Sequence, residues 1–147
     1  MQTERSVEIE APIDHVFEVA TNRVTEWSEI VVEEEILEET PGMVGTTFRV
    51  VTMDRGQRME FQSKVLEHDA PHLNVIEMIG KQFDIHVRTT LKELGGRTLL
   101  TQESKVNGKG FFKVMFALMG WMMKKSSCDA LDKELAGLKA LAESSQA

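Results

Sequence analysis

One cysteine in 147 residues leaves little room for sulfur chemistry. Cys128 has no partner for an internal disulfide, and a multi-thiolate zinc site is excluded. Tyrosine is absent, so no phenol can act as acid or oxyanion donor. Proline occurs only at positions 12, 41 and 71, and none interrupts the stretch from Lys109 to Glu143. Basic charge is scarce as well: 17 Lys and Arg against 24 Asp and Glu give a net charge of −7. A phosphate-tracking protein needs a basic face, so nucleic acid is not an expected partner. The acidic balance also argues against binding an anionic membrane by electrostatics alone. The most apolar run, Phe111 to Met123, carries Lys113 and falls short of the ~20 residues a bilayer span needs. No integral membrane segment is therefore expected. The opening Met-Gln-Thr-Glu-Arg-Ser-Val lacks the pattern of a signal peptide, and a reducing cytoplasm is the expected location.

The apolar fraction of 41% and charged fraction of 28% are those of an ordinary globular chain. Residues 1–147 are expected to form one domain. Residues Thr3 to Glu10 alternate in polarity and predict a half-buried strand. Ala11-Pro12 ends it, and Pro12 with Asp14 suits the start of a short helix through Ala20. A second short helix fits Val24 to Ser28, with Trp27 turned inward. Strands are then predicted at Val31 to Leu37, Thr46 to Met53, Gln57 to His68, His72 to Ile79, Phe83 to Glu93 and Thr98 to Val106. Turn residues separate them, which predicts an antiparallel sheet. From Lys109 to Glu143 apolar residues recur at helical spacing, which predicts one long helix with a single buried face. Six strands thus lie between the short helices and the long one.

The segment Val7-Glu8-Ile9-Glu10-Ala11-Pro12-Ile13-Asp14-His15-Val16-Phe17-Glu18-Val19-Ala20, followed by Glu26-Trp27, resembles the entry of the SRPBCC superfamily of START or Bet v 1-like proteins. The hairpin Leu91-Lys92-Glu93-Leu94-Gly95-Gly96-Arg97-Thr98 is similar to those of its bacterial polyketide cyclase/dehydrase-like branch. The resemblance implies an α+β helix-grip fold: a seven-stranded antiparallel sheet curled around the C-terminal helix, with two short helices after the first strand. It implies a hollow between sheet and helix, and a small apolar ligand such as a lipid or polyketide. It carries no shared catalytic residues and no cofactor.

Set beside that resemblance, the residues give candidate walls. Phe61, Phe83, Ile85 and Val87 lie on apolar strand faces, and Met115, Met119, Met122 and Met123 on the helix. Methionine adapts to ligands of varied shape, although it also plugs ordinary cores. Ser63, Thr89 and Gln102 are polar residues on apolar-facing registers and are candidates for ligand hydrogen bonds. No catalytic residue is assigned. Asp84, His86 and Arg88 share one strand face and could host a general base, but alternation turns them to water. His68 and His72 are separated by Asp69-Ala70-Pro71, so no metal-binding helical pair arises and no metal site is expected. Glu33-Glu34-Glu35 reads as a solvated strand face. Two rival functions stand beside ligand binding. One is a cyclase or dehydratase acting in the same hollow. The other is an interaction module, a homodimer or a membrane-touching surface built on Phe111 to Phe116 and Trp121.

Overall fold

The computed structural model describes residues 1–146. The elements are β1 (Gln2–Ile9), α1 (Ile13–Asn22), α2 (Val24–Trp27), β2 (Val31–Glu38), β3 (Thr47–Asp54), β4 (Gln57–Asp69), β5 (Leu73–Ile79), β6 (Phe83–Leu94), β7 (Arg97–Gly108) and α3 (Phe111–Ser144). All seven strands form one antiparallel sheet in the order β1-β7-β6-β5-β4-β3-β2. Successive strands from β2 to β7 are neighbours, and β1 pairs with β7, the last strand in sequence. The predicted helix-grip architecture is the one observed.

Local chemistry sets the joints. Pro12, at φ −65°, sits immediately before α1, and Asp14 lies in the helix's first turn. Arg55 and Gly56 both take positive φ between β3 and β4, the backbone of a tight two-residue hairpin. Two irregularities decide which side chains turn inward. Pairing of β2 with β3 shifts between Val31 and Glu33, and pairing of β4 with β5 shifts between Val65 and Glu67. An extra residue in one strand reverses the facing of the side chains beyond it.

The core has two parts. The first joins Ile9 of β1, Val16, Phe17 and Val19 of α1, and Leu91 and Leu100 of β6 and β7 to Leu131, Leu135, Leu138 and Ala142 of α3. The second lies on the sheet alone, formed by Phe48, Val50, Phe61, Val65 and Met78. Helix α3 is therefore held at one end. Cys128, Leu131, Leu135, Leu138 and Ala142 recur every three or four residues and are all buried. Polar contacts clasp the same end. Glu10 N donates to Glu143 Oε2 at 2.8 Å, Lys139 Nζ donates to Glu8 O at 2.9 Å, and Gln146 Nε2 donates to Glu10 O at 2.7 Å. The Glu10 amide and the Lys139 ammonium hold the Glu143 carboxyl below the usual carboxylate range.

The predicted single buried face along the whole of α3 is corrected here. From Phe111 to Ser127 no residue of the helix is fully buried. Leu118 and Trp121 are 71% and 78% exposed, and Phe111, Val114 and Met122 are more than half exposed. Periodicity reports a face but not what covers it. This half of the helix overhangs the sheet, touching it through Phe116, whose ring lies 6.3 Å from that of Phe83.

Candidate functional site

A cavity of about 470 Å3 opens between the inner face of the sheet, α1, α2 and the buried half of α3. Its apolar walls include Phe17, Trp27, Ile36, Phe48, Ile76 and Met78. Trp27 is fixed by its own polar handle, with Nε1 donating to Val19 O at 3.0 Å.

One row of polar side chains crosses this apolar floor. Strand pairing places His68 opposite Asn74, Asn74 opposite Thr89, and Thr89 opposite Gln102. Arg5 lies beyond Gln102 on β1, where it pairs with Asp132 of α3 at 3.2 Å. His68, Asn74, Thr89 and Gln102 all line the cavity. His68 Nδ1 lies 3.1 Å from Asn74 Oδ1, and the His68 ring packs 5.4 Å from that of Phe17. One edge of the row is thus oriented within the protein, while the amides and hydroxyl further along face the hollow.

The charges around the cavity are of one sign. Asp14, Glu18, Glu34 and Glu134 line it, and among the described residues no Lys or Arg does. Glu134 is satisfied: it accepts from the Ser28 hydroxyl and, at 2.9 Å, from Glu29 N. Glu34 is different. Its neighbours Glu33 and Glu35 turn outward to Arg49, at 3.7 and 3.8 Å. Glu34 pairs across the ladder with Val50, on the inner face of the sheet. Glu34 is exposed where it lines the cavity, yet the protein packed around its carboxyl removes enough water to raise its pKa.

Of the eleven expected wall residues, Val87, Thr89 and Gln102 line this cavity. Phe61 and Ser63 lie on the same inner face of β4 but beneath it. Ser63 is 4% exposed, and its hydroxyl has no hydrogen-bond partner among the described residues. Phe83 and Ile85 flank the second core cluster. Met115, Met119, Met122 and Met123 lie on the overhanging half of α3, away from the cavity. Asp84, His86 and Arg88 occupy the outer register, as alternation requires. Asp84 pairs with Lys109 at 2.8 Å, and Arg88 lies near Glu67 and Glu103.

The sequence reading passed over Glu34, His68, Asn74 and Trp27 as wall residues. Strand alternation through Glu34 and Ile36 carried the signal for the first. His68 reaches the cavity only because the irregularity after Val65 reverses the facing of β4.

The fold is shared with solved structures at low sequence identity. It superposes on TTHA0849 from Thermus thermophilus with a TM-score of 0.83 at 14% identity, over 100% of both chains. A START superfamily protein from Mycobacterium smegmatis gives 0.82 at 19% identity over 99% of both chains. The Zhui aromatase/cyclase from Streptomyces sp. R1128 gives 0.74 at 16% identity, over 97% of this chain and 93% of that one. No curated protein matches the chain in sequence. Sequence nonetheless agrees with fold at the level of the family, because the profile of polyketide cyclase / dehydrase and lipid transport proteins matches residues 1–143, and the chain belongs to that family.

Proposed function

We propose that the protein binds a small, largely apolar molecule in the cavity enclosed by the sheet, α1, α2 and α3. One observation carries this reading: a hollow of about 470 Å3 with mainly apolar walls and a single polar row on its floor. That volume lies within the ~300–1,000 Å3 typical of small-molecule sites. Burial of ligand surface, at roughly 25 cal/mol per Å2 before ordering costs, supplies the driving force. Thr89, Gln102 and Asn74 then orient the ligand's polar end. Four acidic side chains with no Lys or Arg among the lining residues favour a neutral or cationic polar end over a carboxylate.

The test uses one fluorescent apolar chain ended in turn by an alcohol, an amine and a carboxylate. Saturable binding of the alcohol and amine, with the carboxylate at least tenfold weaker, is expected. No saturable signal from any of the three overturns the cavity reading. Equal affinity for the carboxylate overturns only the assignment of the polar end.

A second reading is cyclase or dehydratase chemistry in the same space. Glu34 favours it, since a carboxyl with a raised pKa holds its proton closer to neutral pH and can act as an acid. Incubation with a linear poly-β-ketone thioester checks it: a cyclised product lost in Glu34→Gln supports the enzyme, and no product leaves a carrier.

A further inference from the structure

The overhanging half of α3 does not line the cavity, yet it carries six of the twelve large apolar side chains that stand exposed among the described residues. Phe111, Val114, Leu118, Trp121 and Met122 fall along one outward stripe, and each is more than half exposed. Residues 111–125 span ~22 Å at the usual helical rise. Among the described residues, no other element covers the outward stripe; the inner side of the segment meets the sheet at Phe116.

Charge decides what does. From Lys105 to Ser127 the chain carries five lysines and no acidic residue, within a protein of net charge −7. Lys109 is paired with Asp84. Lys113, Lys124 and Lys125 make no ion pair among the described residues and flank the apolar stripe. A second copy docking through the same stripe would set these lysines against their own counterparts, because a two-fold contact meets itself. An anionic surface meets them with opposite charge, and Trp121 beside the lysines suits the boundary between water and acyl chains. No described helix is long and apolar enough to cross a membrane, so contact is along the surface.

We infer that the half of α3 from Phe111 to Lys125 docks the protein onto the surface of an anionic lipid bilayer, with Phe111, Val114, Leu118 and Trp121 entering the acyl boundary and the lysines meeting the headgroups. The acidic remainder of the chain is repelled by the same surface, so the protein lands in one orientation. The net acidity that argues against electrostatic membrane binding by the chain as a whole does not describe this segment.

Sedimentation of the full chain with vesicles tests the inference, using phosphatidylcholine alone and phosphatidylcholine mixed with phosphatidylserine. Binding to the mixed vesicles only, weakening as salt is raised, is expected. Leu118→Glu removes it by tenfold or more. Lys124→Ala weakens it roughly fivefold, the equivalent of about one lysine at an anionic surface. Both residues are exposed, so the thermal midpoint and the binding of the fluorescent alcohol in the cavity stay as they were. Absence of binding to either vesicle, or equal binding to both, overturns the inference. So does a dimer detected by light scattering that Leu118→Glu dissolves.

Discussion

Two glycines on α3 offer a matched experiment. Gly120 lies on the overhanging half, and a Cβ built there meets nothing within 4 Å. Replacing a mid-helix glycine by alanine restrains the unfolded chain, and Gly120→Ala is expected to stabilise by ~0.5–1 kcal/mol. At Gly137 a Cβ falls 2.6 Å from the carbonyl oxygen of Trp27. That neighbour is backbone and cannot rotate aside. Relief to the 3.4 Å of ordinary contact moves α2 and α3 apart by the difference, roughly 0.8 Å. Movement is resisted at both sides of the contact: Ser28 bonds Glu134, and Lys133 lies 3.2 Å from Glu29. Overpacking of this kind costs ~1–3 kcal/mol. The helix-propensity gain is common to both variants and cancels in their comparison. Gly137→Ala is therefore expected to be less stable than Gly120→Ala by ~1–3 kcal/mol, or roughly 2–10 °C in midpoint for a chain of this size. Thermal and urea unfolding of the two variants, run side by side, measures the gap. Equal stabilisation by both would mean that α2 does not press on α3 as described, and the cavity wall at Trp27 would lose its support.

Leu138 is 1% exposed at the centre of the first core cluster, so Leu138→Ala should cost ~2–5 kcal/mol in urea unfolding, whereas Leu118→Ala should stay within ~0.5 kcal/mol. A loss at Leu118 matching that at Leu138 would place the overhanging half inside the fold. Val87→Trp should project bulk into the cavity, weakening the fluorescent alcohol by tenfold or more, at a stability cost of ~1–3 kcal/mol. Unchanged affinity would move the ligand elsewhere. Glu34 gives a pH dependence. Its pKa is higher folded than unfolded, so the native state holds more proton between the two values, and this group's contribution to stability falls as pH rises through that window. Glu34→Gln should remove that slope, and unfolding midpoints followed from acid to neutral pH would show it; parallel curves for the two proteins would refute a desolvated Glu34.

The fold was legible because its punctuation is local. Ala11-Pro12, Asp54-Arg55-Gly56 and Leu94-Gly95-Gly96-Arg97 end elements through backbone preferences that operate wherever those residues occur. The strand limits expected from them lie within two residues of those observed. The site was less legible because it depends on facing, and facing depends on register. Val87, Thr89 and Gln102 belong to ladders paired without irregularity, and alternation alone gives the face on which they lie. His68 lies beyond the shift after Val65, where the same counting gives the wrong side. Glu34 is exposed like its neighbours, as the acidic run suggested, but alternation puts it on the cavity side of the strand while Glu33 and Glu35 take the other. The methionines of α3 misled for another reason: helical spacing cannot distinguish a stripe facing the hollow from one facing outward.

Stability and the proposed ligand recognition fall on different parts of this chain. The buried half of α3 is locked to β1 and α1 by leucines and by the clasp around Glu10 and Glu143, none of which needs a ligand. The polar row is set on the inner face by the ladder itself, which aligns His68, Asn74, Thr89 and Gln102 by backbone pairing; only the His68–Asn74 edge is also fixed by contacts of its tips. Changing one of those tips leaves the ladder intact, so the chemistry of the cavity floor can vary while the fold persists. The low identity between this chain and proteins of nearly superimposable fold is what such a division permits. On the proposed reading, the choice of ligand would then rest with the four side chains of one row and the carboxyls that also line the cavity, not with the shape of the fold.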